Sequence, residues 1–266
     1  MASGCEPGLT MPDISIANLS KEFPARNQSA GWKALDNVNL AVGSGEFVTI
    51  LGPSGCGKST LLNIISGLDK HYTGQLAVSA SKSGATSMRP RIAYLFQEPR
   101  LLPWLTVRQN IEFVLDAAGI PRSEWAGRTD HWIELVGLKG FGDFYPLQLS
   151  GGMQQRNAIA RAFAIEPDIL LMDEPFSALD ELTARRMRQE LVSLWEADRR
   201  TVVFVTHNSL EAVYLSDRIL IMNRGPNSRI RDEVALGDLP RPRSFDDPKQ
   251  FEIQRDVLKR LLDNLD

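Results

Sequence analysis

The sequence has few cysteines, no long apolar run and no excess of either charge. Its two cysteines, Cys5 and Cys56, cannot build a disulfide framework and favour a reducing compartment. With 30 Lys+Arg against 33 Asp+Glu, the formal net charge of −3 gives no support to nucleic-acid binding. No stretch approaches the roughly 18 apolar residues of a membrane-spanning helix, and the first residues do not resemble a signal peptide. We therefore expect a cytosolic protein that would reach a membrane only through a partner.

Short continuous apolar runs separated by helix-like segments dominate the middle of the chain. Runs without polar alternation are typical of strands buried on both faces of a parallel sheet, and their alternation with helices predicts an α/β fold. At 266 residues the chain exceeds a typical domain of about 100–200 residues, so we expect a core with a subdomain. The runs are FVTIL (Phe47 to Leu51), DILLM (Asp168 to Met172), TVVFVT (Thr201 to Thr206) and RILIM (Arg218 to Met222).

Three regions depart from this alternation. Residues 13–46 show the polar alternation of antiparallel strands flanking the core. Residues 99–165 contain several helix-like pieces and few strand signals, which predicts a helical insertion between two core strands. Residues 226–266 are rich in charge and contain LPRPRSFDDP, which cannot continue a sheet. We expect them to form a peripheral appendage ending in a short helix, after a domain spanning about 13–225.

A glycine-rich loop, GPSGCGKST, follows the run FVTIL and opens the helix-like STLLNIISG. Strand, loop and helix are the context that the G-x-x-x-x-G-K-[ST] pattern requires for phosphate binding, because inward-pointing N–H groups and a helix N-terminus hold the anion. Lys58 would reach the β- and γ-phosphates, and the Ser59 hydroxyl would ligate Mg²⁺. A glycine-rich turn with a solvated lysine is the structural alternative.

Two carboxylates follow the run DILLM, in the sequence DILLMDEP. Neighbouring residues at a strand end point in different directions, so the two carboxylates can serve separate tasks at one site. Asp173 would hold Mg²⁺, and Glu174 would orient and deprotonate the attacking water. An ordinary Asp–Glu–Pro surface turn is the alternative, and the phosphate loop elsewhere in the chain disfavours it.

A second anion-binding pattern, LSGGMQQR at residues 149–156, precedes the helix-like NAIARAFAI. A serine and two glycines at a helix start can hold an anion, yet no apolar run leads into them and no lysine lies among them. Together with Gln97 in LFQEP, SALD (Ser177 to Asp180) and His207 in VTHN, the motifs resemble the ATP-binding subunit of an ATP-binding-cassette (ABC) transporter. The resemblance runs in order over about residues 13–225.

This resemblance implies an ABC-type P-loop NTPase fold, with a mostly parallel sheet, an antiparallel β subdomain and a helical subdomain at about 99–165. It also implies ATP and Mg²⁺ as cofactors. Gln97 would touch Mg²⁺ and water and sense a membrane subunit, while His207 would contact the γ-phosphate and Asp180 would link the two sites of a dimer. Ser150, Gly151 and Gly152 would face the γ-phosphate bound to the partner subunit. The implied nucleotide contacts are Phe23, Gly52, Pro53, Ser54, Gly55, Cys56, Gly57, Lys58, Ser59, Thr60, Ser150, Gly151, Gly152 and Asp180.

The aromatic residue that stacks on adenine has two candidates. Phe23 matches the family position after the first strand, but PARNQSAGW lengthens the following loop and makes Trp32 a rival. Trp32 is alternatively a cover for that loop. His207 has a structural alternative too, as a capping histidine after a strand, whereas His71 and His131 are interpreted as structural or solvated. Trp125 and Trp132 are interpreted as packing residues.

The segment FQEPRLLPWLTVRQNI and the tail LPRPRSFDDPKQF resemble importers of small anions such as nitrate, sulfonate, taurine or bicarbonate. The resemblance implies a homodimer or a pairing with a homologous ATPase subunit, peripheral on the cytoplasmic face of the inner membrane. It also implies transmembrane permease subunits and, indirectly, a solute-binding protein. The patch Leu101, Leu102, Pro103 and Trp104 could bind a permease helix or pack within the insertion.

Two other functions remain open from the sequence. A soluble ABC-type ATPase acting on DNA or ribosomes would usually carry a coiled coil, a zinc module or two cassettes, which the sequence does not display. A nucleotide-regulated binding protein without turnover would usually lack one of Lys58, Asp173, Glu174 and His207, which are all present.

Overall fold

The computed structural model describes residues 13–24, 31–79, 90–177, 179–237, 239–244 and 247–264. Cys5, residues 25–30 of the lengthened loop and residues 80–89 of the segment before Gln97 lie outside the described residues, as does Ala178 of the SALD motif. Of the helices within the described residues, none combines the length and apolarity needed to cross a bilayer.

Strands and helices alternate through most of the chain, and a short 3-10 helix, Pro146–Gln148, precedes the fourth α-helix. The elements in order are β1 Ile14–Phe23, β2 Trp32–Val42, β3 Phe47–Leu51, α1 Lys58–Ile65, β4 Thr73–Val78, β5 Ile92–Leu95, α2 Val107–Ala117, α3 Arg122–Leu135, α4 Gly151–Ala164, β6 Ile169–Asp173, α5 Glu181–Ala197, β7 Thr201–Thr206, α6 Ser209–Leu215, β8 Arg218–Met222, β9 Ile230–Ala235 and α7 Pro248–Asp263.

The core is a six-stranded sheet in the order β5-β6-β7-β3-β8-β9. The first five strands are mutually parallel, and β3, β6 and β7 are buried along their whole length. This confirms the α/β prediction, because the uninterrupted apolar runs are the strands with helices on both faces. Strand β5 was missed because its apolar run, Ile92 to Leu95, is only four residues long.

A second, antiparallel sheet has the order β2-β1-β4 and covers one side of the core. Its inward residues, among them Ile14 and Leu35, share a hydrophobic cluster with α1 and the central strands. The antiparallel subdomain predicted from polar alternation is thereby confirmed, with β4 as its third strand.

The helices α2, α3 and α4 lie between β5 and β6, as the predicted helical insertion requires. Val107 and Ile111 of α2 and Ile133 of α3 join the same buried cluster as Leu95 and Met172 of the core sheet. The helical subdomain therefore packs continuously against the core. Its limits and those of the appendage stay predictions.

The region after residue 225 packs more closely against the core than the peripheral appendage predicted from the sequence. Strand β9 pairs antiparallel with β8 and extends the core sheet. Its three consecutive charged residues, Arg231, Asp232 and Glu233, leave no apolar run, which is why the sequence interpretation missed this edge strand. Arg243 is buried and donates to the carbonyl oxygens of Val213 (2.6 Å) and Ser216 (2.5 Å) at the end of α6. The predicted terminal helix is α7, which begins at Pro248.

Candidate active site

The phosphate loop joins buried strand β3 to helix α1. Gly55 (φ 81°) and Gly57 (φ 92°) adopt the left-handed backbone that favours glycine, and Gly57 is the N-cap of α1. A Cβ at Gly57 would lie 2.8 Å from Leu35 Cδ2, so β2 leaves no room for a side chain there. These glycines let the chain curl tightly into the helix N-terminus, where backbone N–H groups attract anions.

Lys58 lies across the mouth of this loop. Its side chain is only 5% exposed, and Nζ donates to the carbonyl oxygens of Gly52 (2.8 Å) and Pro53 (2.9 Å). Glu174 Oε1 lies 3.5 Å from the same ammonium. A cation is therefore held at the anion-binding loop and beside the predicted catalytic carboxylate.

Cys56 supports the loop from below. Its side chain is buried, and a Cβ at Gly52 would lie 2.7 Å from Cys56 Sγ. Burial raises the pKa of the thiol, which keeps it protonated. Cys56 thus packs as a small apolar residue, and its backbone amide donates to the carbonyl oxygen of Pro53 at 3.4 Å.

Asp173 ends strand β6 and meets the loop through Ser59, whose hydroxyl donates to the carboxylate. Burial raises the pKa of Asp173 and the charge of Glu174 adds to the rise, while the bonds from Ser59 and Tyr94 oppose it. A hydroxyl and a carboxylate at one point are the oxygen ligands that Mg²⁺ prefers, so the residues fit this ion. Sequence reasoning missed Tyr94; its place on β5, three residues before Gln97, is the signal that could have found it.

Glu174 and His207 meet at the same edge of the sheet, because the parallel strands β6 and β7 both end there. The backbone of Glu174 is left-handed (φ 44°), and its amide donates to the carbonyl oxygen of Val205 at 2.9 Å. Its Oε2 lies 2.8 Å from His207 Nδ1. The carboxylate is therefore held between Lys58 and His207, where it can take a proton from a water at the phosphate loop.

Gln97 lies exposed, two residues beyond β5, where the chain enters the helical subdomain. The segment after it is fixed by Arg161 of α4, which donates to the carbonyl oxygens of Pro99 and Arg100, each at 2.9 Å. The Phe96 ring stacks on Tyr94 with centroids 4.1 Å apart. Gln97 is thus connected through its neighbours both to the Asp173 site and to helix α4.

The LSGG motif begins helix α4 at the surface. Ser150 is its N-cap, with Oγ accepting from Met153 N at 3.3 Å, and Gly151 is exposed. Within the described residues, the hydrogen bonds of Ser150 stay in its own helix and none reaches the phosphate loop. Buried Gln155 of α4 donates to Pro175 O at 2.7 Å, which ties this helix to the turn after Glu174.

Asp180 is the N-cap of α5, with its Oδ1 accepting from Thr183 N at 3.0 Å. The hydrogen bond from the Thr183 backbone holds the pKa of Asp180 below its usual range. Its carboxylate is exposed to solvent, so a partner subunit could reach it.

The two aromatic candidates for adenine stacking are neighbours. Phe23 and Trp32 stack with centroids 6.2 Å apart and an interplanar angle of 28°. A Cβ at Gly225 would lie 3.3 Å from Gly55 O and 3.7 Å from Trp32 Cζ2, which places Trp32 close to the phosphate loop. Both rings thus lie on one surface, and the choice between them stays a prediction.

The comparisons with known proteins agree with this geometry. The family model described as ABC transporter matches residues 35–177. An uncharacterized ABC transporter ATP-binding protein of Methanocaldococcus jannaschii is 44% identical over 253 residues, 95% of this chain and 92% of that protein. The aliphatic sulfonates import ATP-binding protein SsuB of Bacillus cereus is 41% identical over 247 residues, 93% of this chain and 95% of that protein.

Solved structures give the same result. A dimeric ATP-binding cassette in a post-hydrolysis state, bound to ADP and Pi, superposes with a TM-score of 0.73 at 36% identity, covering 87% of this chain and all of that one (100%). A dimeric bacterial ABC transporter cassette also superposes with a TM-score of 0.73, at 37% identity. The chain belongs to the ABC transporter family, as an ATP-binding cassette whose ATP hydrolysis is coupled to transport.

Proposed function

We propose that this cassette pairs with a second cassette and drives the import of a small anion through separate membrane subunits. The observation that carries the proposal is that the predicted anion-binding groups of one chain lie in two separate places. Lys58, Glu174 and His207 gather at the phosphate loop, whereas Ser150 begins a separate, exposed helix end. The solved relatives that are dimers support the pairing.

Within one subunit the proposed roles follow from position. The loop amides and Lys58 bind the ATP phosphates, and Ser59 and Asp173 would hold Mg²⁺, which neutralises phosphate charge. Glu174 deprotonates the attacking water, and His207 hydrogen-bonds both Glu174 and the γ-phosphate. Gln97 would contact Mg²⁺ and water where the chain enters the helical subdomain.

The second half of each site would come from the partner. Ser150, Gly151 and Gly152 would present the positive end of α4 to the γ-phosphate bound by the other subunit. Asp180 would contact the partner's site. A homodimer, or a pair with a homologous subunit, satisfies this arrangement equally.

The membrane partner would dock on the segment after Gln97. Buried Asn110 organises this segment, since its Nδ2 donates to the carbonyl oxygens of Leu102 (3.2 Å), Leu105 (3.0 Å) and Thr106 (3.0 Å). The resulting turn leaves Trp104 68% exposed. A large apolar side chain presented on a rigid turn is typical of an interface with another protein.

The solute class rests on the similarity to the SsuB importer and on the anion-importer resemblance of the segments around Trp104 and in the tail. A small anion of the sulfonate, taurine, nitrate or bicarbonate type would be delivered by a solute-binding protein to the permease. The cassette itself would sit on the cytoplasmic face of the inner membrane.

Replacing Trp104 with aspartate is expected to release the cassette from its permease while leaving ATP hydrolysis by the purified protein unchanged. The charge would oppose burial in an apolar groove. The measurement is the fraction of full-length tagged protein recovered with washed membranes of its own cells, together with uptake of labelled sulfonate, taurine, nitrate and bicarbonate.

Phe251→Asp on α7 is the matched control, because Phe251 is 67% exposed against 68% for Trp104 but lies on another element. The control should stay with the membranes. Recovery of the unmodified protein with ribosomes or DNA, and not with membranes, would refute the importer assignment in favour of a soluble ABC-type ATPase.

A further inference from the structure

A buried ion pair connects helices α5 and α6 behind the active site. Arg188 Nη1 donates to Glu211 Oε1 at 3.0 Å, and the side chains are only 1% and 8% exposed. Burial raises the pKa of Glu211, and the adjacent Arg188 and Thr206 oppose the rise. Two buried charged groups that face each other need a full set of partners, because an unpaired buried charge is strongly destabilising.

The second oxygen of Glu211 is connected to the residues on either side of His207, to Thr206 directly and to Asn208 through Thr206. Thr206 Oγ1 donates to Glu211 Oε2 at 2.6 Å and accepts from Asn208 N at 3.0 Å. Asn208 Oδ1 in turn accepts from Leu210 N at 2.9 Å and caps helix α6. The backbone that carries His207 is therefore held through Glu211.

The other end of the ion pair reaches the start of α5. Arg188 Nη2 donates at 2.5 Å to Oε1 of Glu181, the residue directly after Asp180. Glu181, Arg188, Thr206 and Glu211 also line a cavity of about 180 Å³, together with catalytic-site residues that include Glu174 and His207. The network thus runs along the wall of a space that opens onto the reacting groups.

We propose that Glu211 is a positioning residue for His207, and that Arg188 links this position to the turn at Asp180 that would face the partner subunit. The proposal rests on the role of His207 given above. Movement of the Asp180 turn on dimer formation would be passed to His207 through four hydrogen-bonded side chains. An ion pair that served stability alone would leave the environment of the His207 ring unaffected.

The chain has only three histidines, so the ring signals of full-length protein labelled at histidine can be resolved by NMR. In Glu211→Ala, we expect the His207 signal to shift while those of His71 and His131 do not. We also expect kcat for MgATP to fall about tenfold with little change in KM, because binding is kept and only geometry is lost. Glu211→Gln should restore most of kcat and return the His207 signal close to its original position, since its amide can still bond to Thr206.

Thr206→Val provides a second route if Glu211→Ala folds poorly. It keeps the Arg188–Glu211 pair but removes the hydroxyl, so the same His207 shift is expected, with recovery in Thr206→Ser. Glu190→Gln on α5, which removes the charge facing Arg186, is the control and should match the unmodified protein.

An unshifted His207 signal in both Glu211→Ala and Thr206→Val would overturn the proposal, as would an equal loss of kcat in the Glu190→Gln control. Failure of the broader active-site assignment would be seen separately, as unimpaired hydrolysis by a Glu174→Gln variant whatever the His207 signal does.

Discussion

Replacing Glu174 with glutamine is expected to lower the rate of ATP hydrolysis by about 10²- to 10⁴-fold, the contribution of a positioned general base. Glutamine keeps the size of the side chain and a hydrogen bond to His207, which lies 2.8 Å from Glu174 Oε2. It cannot accept the proton of the attacking water. Steady-state phosphate release at saturating MgATP measures the loss.

The same variant should accumulate ATP-dependent dimers, because binding remains while the step that separates the subunits is blocked. Size-exclusion chromatography with and without MgATP would detect them. Glu166→Gln, at an exposed carboxylate paired with Arg128, is the control and should hydrolyse ATP normally. Undiminished hydrolysis by Glu174→Gln would remove Glu174 from the role of base.

Replacing Ser150 with aspartate is expected to reduce ATP hydrolysis by about a hundredfold, the order of loss when one anion-stabilising donor is removed. Aspartate caps a helix as well as serine does, so α4 should keep its N-cap bond to Met153. Its charge would repel the γ-phosphate that the partner subunit is proposed to hold there. ATP binding by the isolated monomer should be unaffected.

Ser150→Asn is the matched control, since asparagine also caps a helix but carries no charge. We expect it to retain far more activity than Ser150→Asp, and to form dimers with MgATP where Ser150→Asp does not. Equal activity of the two variants would show that a negative charge at this position meets no phosphate. Full activity in Ser150→Asp would rule out a phosphate at this position.

The sequence could predict those parts of the site that lie at the ends of buried strands. Apolar runs mark β3, β6 and β7, and adjacent parallel strands end at one edge, which brings Lys58, Asp173, Glu174 and His207 together. The local motifs therefore predicted both which residues form this part of the site and where in the fold they lie. For Ser150 the sequence predicted the helix end, and the structure adds that it contacts its own helix.

The parts that were missed depend on contacts between distant or weakly patterned segments. Arg188 and Glu211 lie on neighbouring helices, 23 positions apart in sequence, and no local pattern shows that two helical charges face each other. Tyr94 reaches Asp173 only because β5 pairs with β6. Strand β9 is partly exposed at the sheet edge and carries three consecutive charged residues, so no apolar run marks it in the sequence.

The central claim is that each ATP is hydrolysed between two subunits, and mixing two inactive variants tests it most directly. Lys58→Met disables the phosphate loop, and Ser150→Asp disables the helix end offered to the partner. In a mixed dimer, the intact loop of the Ser150→Asp chain faces the intact Ser150 of the Lys58→Met chain. The mixture is therefore predicted to hydrolyse ATP faster than the sum of the two variants measured alone. A mixture no faster than that sum would contradict a site shared between subunits.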